Sequence, residues 1–335
     1  MAFPGVRYNP PSIFAMQKVA LLYNPDSGGS RKRQKQLGAA LGVLRGAGIE
    51  SELMQAESRA SAGDLARSAI ESGCDTIFAC GGDGTIHNIV QVLANTDVTL
   101  GILPMGTANA LAHDLGVPKN IESAARAALT AKTMRVALGR VGYVNLKGLA
   151  RTRFFVIAAG VGVDAHLFYK LHTGAKQKMG MTAYYAKAWN LWFTYVMPRF
   201  VAEYEDDEAR EKRTTEVTEL MAIRIRDFGG MVRELAPGAD LQRDDMRVVF
   251  AQTASRAAYL AYVIRGLLRR KWRVPGVELA YSRKVSCSYK EGSNAPEAAA
   301  GQRKIYVEAD GELLGTLPAT ITVVPTALSV LAPGR

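Results

Sequence analysis

Apolar runs alternate with amphipathic segments along the N-terminal third of the chain. The predicted order is strand 18–23, helix 31–46, strand 50–55, helix 62–71, strand 76–79, a helix through Ile86, Ile89, Val90 and Leu93, strand 99–103 and helix 108–115. Strands that alternate with helices predict a parallel sheet covered on both faces. Because ligands of such sheets bind at the carboxyl ends of the strands, the loops 24–29, 81–85 and 104–109 are the first candidates for function.

From residue 134 onward, short β-rich segments replace this alternation. The predicted segments are 134–141, 154–159, 219–226, 247–251, 285–288, 304–309 and 320–324. Two helical stretches, 176–196 and 254–271, interrupt them, and 204–215 and 290–302 are predicted to be polar loops. The spacing and the turn composition indicate a mostly antiparallel sandwich.

We therefore predict two domains, which suits a chain of 335 residues because a single core seldom grows that large. The first is an α/β domain with a parallel sheet over residues 18–133. The second is a β-rich antiparallel sandwich over residues 134–324. The segment 325–335 is a candidate to return to the first domain. Residues 1–17 have no apolar signal region and are predicted to be a disordered leader.

Composition narrows the class of protein. No window approaches 18 uninterrupted apolar residues, which disfavours a transmembrane helix. Three cysteines without a CxxC pair (Cys74, Cys80 and Cys287) disfavour a disulfide framework or a zinc site and favour a reducing cytoplasm.

The net charge of +11 favours an acidic partner, and nucleic acid, a nucleotide and an anionic membrane all qualify. Basic residues concentrate in 256–284, which contains eight of them and a single acid, Glu278. Such a run is either a solvated face or a binding surface.

The sequence Gly81-Gly82-Asp83-Gly84-Thr85 follows a predicted buried strand and opens a helix. Adjacent glycines let the backbone approach a ligand, and free N–H groups at a helix start suit phosphate oxygens. Asp83 repels phosphate, so its candidate roles are to bind Mg²⁺, to orient a water in the metal shell or to accept a proton. The alternative is a plain strand–helix turn with Asp83 as the N-cap.

Two sister loops repeat this chemistry at other strand ends. Asn24-Pro25-Asp26-Ser27-Gly28-Gly29 offers a hydroxyl and glycine amides, and Pro104-Met105-Gly106-Thr107-Ala108-Asn109 offers Thr107 as a phosphate donor and Asn109 as a tie for the loop. Neither a Walker A run nor a spaced GxGxxG occurs in the chain. Three such loops at successive strand ends indicate a phosphate-binding edge.

The ordered motifs NPDSGG, GGDGT and PMGTANALAHDLGVP resemble the catalytic domain of the diacylglycerol kinase and sphingosine kinase superfamily, and the bacterial lipid kinases most of all. The similarity continues through FFVIAAGVGVDAHLF, RGLLRRKWRVPGVELAYSRKV and VEADGELLGTLPATITVVPTALSVLAP, leaving out 1–17 and 203–215. It implies an NAD kinase/diacylglycerol kinase-like fold, with ATP and Mg²⁺ as cofactors and a membrane lipid as the phosphoryl acceptor.

The resemblance also implies roles for matching positions. Glu312, in Asp310-Gly311-Glu312, would be the catalytic base beside the acceptor hydroxyl, with Asp83 as the second catalytic carboxylate. Asp164 would meet the polar head of the lipid. The residues expected to bind the nucleotide are Asn24, Ser27, Gly28, Gly82, Gly84, Thr85, Thr107 and Asp310. From the residues alone, Asp310-Gly311 is also a good β-hairpin turn and Asp164 a good helix cap.

Four positions depart from the family pattern. LQRDDMRVVF resembles the element in which bacterial members hold a structural Mg²⁺; Asp245 is the matching ligand, but Met246 replaces the glycine. Asn88 occupies a position where the family usually has a glutamate. The nucleotide-contacting threonine expected near the second strand has only Ser58 as a candidate substitute. Ala110, where many bacterial members have aspartate, resembles the sphingosine and ceramide kinases.

A kinase that acts on a lipid must reach a membrane, and two segments are candidates for the contact. The aromatic, lysine-bearing segment 176–195 suits an interfacial helix or a core stripe. The basic run Arg269–Arg273 suits an anionic lipid surface. We therefore expect a cytoplasmic protein that associates peripherally with the inner membrane face, without nucleic acid as a partner.

Three functions remain open at this point. The leading one is an ATP-dependent lipid kinase acting on a diacylglycerol-like or a sphingoid or ceramide-like acceptor. An NAD kinase-like small-molecule kinase shares GGDGT but not PMGTANALA. A catalytically inactive lipid- or nucleotide-binding regulator is suggested by Asn88.

Overall fold

The computed structural model describes residues 16–24, 31–56, 61–166, 195–229, 234–270, 272–290 and 304–333. The predicted helix 176–196 therefore lies almost wholly outside the described residues, as do Ser27, Gly28, Ser58, Lys271 and most of 1–17 and 290–302.

The N-terminal elements follow the predicted alternation. They are β1 (Lys18–Tyr23), α1 (Arg31–Gly46), β2 (Glu50–Gln55), α2 (Ser61–Glu71), β3 (Thr76–Gly81), α3 (Asp83–Leu93), β4 (Thr99–Pro104), α4 (Ala110–Asp114) and α5 (Ile121–Ala128). Strands β2, β1, β3 and β4 pair in that order, all parallel. Strands β3 and β4 are buried along their whole length, as expected for a sheet with helices on both faces.

The later elements are mostly antiparallel strands. They are β5 (Lys132–Asn145), β6 (Ala150–Phe155), β7 (Ala158–Gly162), β8 (Phe200–Asp206), β9 (Glu211–Val217), β10 (Glu219–Ile223), β11 (Met246–Ala251), α6 (Arg256–Leu267), β12 (Val277–Ser282), β13 (Lys284–Ser288), β14 (Tyr306–Ala309) and β15 (Glu312–Ala332). One hydrophobic cluster fills the N-terminal unit and a second fills the sandwich.

Strand β15 belongs to both units. Its first half pairs antiparallel with β14 and β13, while Ser329 and Val330 pair parallel with Thr99 and Leu100 of β4. Strand β5 runs beside it along almost its entire length. The two domains are thus joined by a long strand pair whose register shifts between Thr316 and Thr320 and between Val324 and Leu328.

The region 204–215, predicted to be a polar loop, is instead part of the antiparallel hairpin β8–β9. In β8 buried residues alternate with more exposed ones, and Phe200, Ala202 and Tyr204 enter the sandwich core. The high charge of the segment belongs to the solvent-facing positions of a half-buried hairpin and concealed this alternation.

Gly139 of β5 lies opposite Phe155 of β6, and a Cβ there would sit 2.0 Å from the buried ring. Gly142, three residues along the same strand, has nothing within 3.8 Å of that position. We expect Gly139→Ala to destabilise the protein by about 1–3 kcal/mol through overpacking.

Gly142→Ala is the matched control and should be neutral or slightly stabilising, because glycine is unfavourable within a strand. Thermal unfolding followed by circular dichroism compares the two variants. Equal unfolding midpoints would contradict the role assigned to the Phe155 ring.

Candidate active site

Strands β1, β3 and β4 run parallel and end at the same edge of the sheet. Gly81 pairs with Pro104, and the amide of Met105 donates to the Gly81 carbonyl at 2.9 Å. A Cβ on Gly106 would lie 2.5 Å from the Cα of Gly82, so only glycine permits this backbone contact. The two glycine loops therefore form one surface.

Asn109 holds the second loop in place. Its Oδ1 accepts from the Gly106 amide and its Nδ2 donates to the Gly106 carbonyl, both at 2.9 Å. Its φ of 50° is left-handed, a conformation that asparagine tolerates better than most residues. The tie expected for Asn109 is thus present, and the helix after it is shorter than predicted, Ala110–Asp114.

The start of α3 gives Asp83 an unusual position. Gly82 is the N-cap and no side chain caps the helix, so the alternative of Asp83 as N-cap is wrong. The Asp83 carboxylate faces the backbone amides of Leu111 and Ala110, and its Oδ1 is buried without a hydrogen-bond partner among the described residues. Burial, more than the nearby Asp310, raises its pKa. A carboxylate held in this state suits a cation or a proton.

Thr85 and Asn88 stabilise the loop from within. The Thr85 side chain lies against Gly81, where a Cβ would meet its Oγ1 at 2.4 Å. The Asn88 Nδ2 donates to the Gly84 carbonyl at 3.0 Å, so the amide that replaces the usual glutamate is engaged with the loop.

A cavity of about 650 Å³, within the range of small-molecule sites, opens beside the loop after β4, and no residue of 81–85 lines it. Its lining includes Thr107, Asn109, His113, Lys119 and Gln36. Thr107 and Lys119 supply a hydroxyl and a cation of the kind that phosphate requires. Asn24, at the end of β1, is buried.

Asp310 occupies the turn between β14 and β15. Its carboxylate accepts from the amides of Val156, Ile157 and Ala158 at 2.8–3.2 Å, and His87 Nδ1 lies 3.2 Å from its Oδ2. Asp310 and Gly311 both have positive φ, as the alternative of a tight hairpin turn requires. Because four groups already surround this carboxylate, the geometry favours a positioning role over the nucleotide contact implied by the resemblance.

His87 is a site residue that the sequence did not reveal. It lies on α3, one turn from Asp83, and joins the helix of the first glycine loop to the Asp310 turn. Glu312, half-buried, begins β15 immediately after that turn. The predicted base and the predicted phosphate loop are thus held together through one buried contact.

Asp164 belongs to a buried group of carboxyls. Its carboxyl lies over Gly160, where a Cβ would meet it at 2.0 Å, and Gly160 pairs with Glu308 of β14. Glu219 accepts from the amides of Val163 and Asp164 and hydrogen-bonds the Asp164 carboxyl. Burial is the main cause that raises the pKa of all three acids, Asp164, Glu219 and Glu308.

Burial raises the pKa of both carboxyls, which favours a proton on the Asp164–Glu219 pair. Two carboxylates in contact cannot both ionise in a buried site. The Glu219 Oε1 has no donor among the described residues, which a proton between the two carboxyls would supply. The sequence signal for Glu219 was only a single acid at the start of an apolar strand, which is why it was missed.

Asp245 has a cation partner already. Arg243 donates to its Oδ1 at 2.7 Å and to its Oδ2 at 2.6 Å, and the same guanidinium lies 3.9 Å over the Tyr281 ring. The described residues contain no group of three metal-ligating side chains. The residues around Asp245 do not fit a structural Mg²⁺ as arranged, because a bidentate guanidinium covers both oxygens.

The model of the diacylglycerol kinase catalytic domain matches residues 18–141, and that of the YegS C-terminal NAD kinase beta sandwich-like domain matches residues 157–332. The chain is 29% identical over 323 residues to the diacylglycerol kinase of Mycobacterium tuberculosis, covering 94% of this chain and 95% of that protein. The diacylglycerol kinase of Bacillus subtilis is 25% identical over 306 residues, covering 90% and 92%.

A solved structure of a diacylglycerol kinase from Bacillus anthracis superposes with a TM-score of 0.67 at 18% identity, over 95% of this chain and 97% of that one. The two family models together span most of the chain, so it belongs to the diacylglycerol kinase family of lipid kinases. The predicted fold, an α/β domain with a parallel sheet and an antiparallel β-sandwich, is confirmed. Among the described residues no helix is long and apolar enough to cross a membrane.

The raised pKa of Glu219 predicts a pH dependence of stability. Above pH 4.5 the unfolded chain loses this proton while the folded protein keeps it, so stability falls as pH rises toward the folded-state pKa. Glu219→Gln cannot ionise, and its amide can donate to Asp164. We expect its unfolding midpoint to fall less than that of the parent between about pH 6 and about pH 9.

Glu216→Gln is the matched control. Its hydrogen bond with Lys290 lowers the pKa of Glu216, so this group is ionised in both states over that range and its loss should leave the slope unchanged. Thermal unfolding at each pH tests the pair. A Glu219→Gln slope equal to that of the parent would contradict a proton held by Glu219. The neighbouring acids Asp164 and Glu308, whose pKa values burial also raises, remain in both proteins.

Proposed function

We propose that the protein transfers the γ-phosphoryl group of MgATP to a hydroxyl of a membrane lipid, of the diacylglycerol or of the sphingoid or ceramide type. The observation that carries this proposal is the His87–Asp310 contact, which brings the glycine loop of α3 beside the turn that precedes Glu312. The relatives named as diacylglycerol kinases support the first acceptor class.

The proposed role of Glu312 is that of the catalytic base. Its carboxylate takes the proton of the acceptor hydroxyl while the lipid oxygen forms a bond to the γ-phosphorus and the bond from that phosphorus to the bridging oxygen of ADP breaks. Asp83, buried at the start of α3, is proposed to hold the Mg²⁺ that accompanies ATP. A cation there would satisfy its unpartnered Oδ1.

The nucleotide phosphates are assigned to the loop edge. The residues proposed to line them are Asn24, Ser27, Gly28, Gly82, Gly84, Thr85 and Thr107. The contact between Gly82 and Gly106 supports this assignment, since it brings the backbones of the two glycine loops together. Asp164 is proposed to bind the polar head of the lipid as the partner of Glu219, offering a hydrogen-bond donor or acceptor according to which of them holds the proton.

The same proposal includes the cellular setting. The net charge of +11 and the exposed arginines near residue 270 suit the anionic inner face of a cytoplasmic membrane. We further propose residues 18–133 as the nucleotide domain and 134–324 as the lipid domain. The pairing of Ser329 and Val330 with β4 supports the return of 325–335 to the first domain.

Two alternatives are weaker. The NAD kinase-like activity is supported by nothing stronger than the shared GGDGT motif. An inactive regulator was suggested by Asn88, yet its amide hydrogen-bonds the Gly84 carbonyl, so the departure leaves the loop bound in place.

Incubation with labelled MgATP and dispersed diacylglycerol, sphingosine, ceramide or NAD tests the proposal. We expect label in a lipid. Label in NAD alone would support the first alternative, and ATP binding without transfer to any acceptor would support the second.

Glu312→Ala should lower kcat by about 10²–10⁴-fold, the usual contribution of a general base, with ATP affinity nearly unchanged. Glu211→Gln, an exposed glutamate of β9, is the control and should match the parent in both quantities. Turnover and nucleotide titration are measured on the same preparations. An equal loss of ATP affinity and kcat in Glu312→Ala would point to a nucleotide contact instead of a base.

A further inference from the structure

Helix α6 carries its polar contacts on the inward side. Tyr262 and Arg265 are buried, and both donate to the carbonyl of Leu235, the arginine at 3.0 Å. The Arg265 guanidinium lies 4.2 Å over the Tyr262 ring, and Gly266 packs against the Glu234 backbone. Tyr262 and Arg265 thus anchor the buried side of this helix to the Leu235 carbonyl.

The outward side of the same helix is apolar. We call it the α6 stripe; it comprises Leu260, Val263, Ile264, Leu267, Leu268 and Trp272, which are 47, 41, 38, 42, 55 and 42% exposed. The first four have the i, i+3, i+4, i+7 spacing of a single helix face. Contiguous exposed apolar surface of this kind marks an interaction site.

The edge of the stripe is cationic. Arg270 and Arg273 are exposed and pair with no described acid, while Arg269 is paired with Asp227 at 2.6 Å. Residues 256–277 contain no Asp or Glu. Apolar side chains beside unpaired arginines and a tryptophan suit the surface of an anionic bilayer, whereas a protein partner would have to supply both an apolar groove and acidic groups.

The first turn of α6 lies over the proposed lipid site. The Tyr259 hydroxyl lies 2.8 Å from Thr218 Oγ1, and Thr218 precedes Glu219. Tyr259 also packs against the small cluster of Val163, Tyr195 and Met197, and Val163 precedes Asp164. A bilayer on the stripe would thus lie one helix away from the carboxyls assigned to the lipid head.

We propose that α6 is an interfacial helix that lies in the plane of an anionic membrane, with the α6 stripe among the acyl chains and Arg270 and Arg273 at the phosphates. The binding itself depends only on the stripe; its meaning as the entry of the lipid substrate rests on the proposed function. In this proposal the α6 stripe adds a specific membrane contact to the general attraction that the net positive charge exerts on an anionic membrane.

The test uses the full-length protein and vesicles of phosphatidylcholine with about 30 mol% phosphatidylglycerol, or of phosphatidylcholine alone. Leu260→Gln/Leu267→Gln should lower the vesicle-bound fraction by about tenfold, since it removes the buried apolar area. Leu53→Gln/Leu129→Gln, similarly exposed leucines elsewhere, should bind as the parent does. Arg270→Gln/Arg273→Gln should lose about tenfold or more on anionic vesicles only.

Trp272 provides a second readout. Vesicles should shift the parent fluorescence to shorter wavelength, and Trp272→Phe should reduce that shift. No binding by the parent, or equal binding by the Leu260/Leu267 variant, would overturn the proposal. A parent dimer in size-exclusion chromatography that becomes a monomer in the Leu260/Leu267 variant would also overturn the proposal, because the stripe would then contact a second copy of the chain.

A soluble substrate separates the two proposals. A short-chain diacylglycerol below its aggregation limit should be phosphorylated equally by the parent and by the Leu260/Leu267 variant. If the parent and the variant have equal turnover and equal vesicle binding, the interfacial helix is refuted but the proposed function is not. If the variant loses turnover on the soluble acceptor, the interfacial helix is also refuted, because the stripe would then affect the active site without any membrane. Absence of any lipid phosphorylation by the parent refutes the proposed function, while the vesicle result stands by itself.

Discussion

The buried carboxylate of Asp310 is the constraint on which the arrangement of the site depends. Three backbone amides from the β6–β7 connection and the ring of His87 converge on it. A carboxylate without these donors would be costly at such burial, so the turn can take only this position. His87 belongs to the helix of the glycine loop, and Glu312 begins the strand after the turn. Asp310 therefore sets the distance between the glycine loop and Glu312.

Burial of acids continues from this point into the sandwich. Glu308 accepts from the Gly311 amide at 2.8 Å, Asp164 follows the end of the neighbouring strand β7, and Glu219 begins β10 on the other side of β7. Several carboxyls in a low-dielectric region are stable only when protons or cations neutralise them. The same requirement explains why Asp245, farther away, is matched with the guanidinium of Arg243.

The sequence predicted most of the sheet and the edge at which the site lies, because strand–helix alternation and glycine loops are local signals. It did not predict the β8–β9 hairpin, whose charges masked a buried face, nor the separation of 154–159 into β6 and β7. His87, Glu219 and Glu308 were also out of reach. Each acts through residues distant in sequence, such as the 223 positions between His87 and Asp310, and a single buried polar residue has no periodicity to detect.

Helix α6 has an inverted distribution of polar and apolar side chains. A helix that only supported the sandwich would place leucines inward and arginines outward. Here Arg265 and Tyr262 are inside, where a free carbonyl accepts from both, and the leucines are outside. Stability gains little from that inversion, because exposed apolar area contributes nothing in water. The arrangement becomes favourable only when the outer face leaves water, and the Tyr259–Thr218 contact would then link such a transfer to the acids beside Asp164.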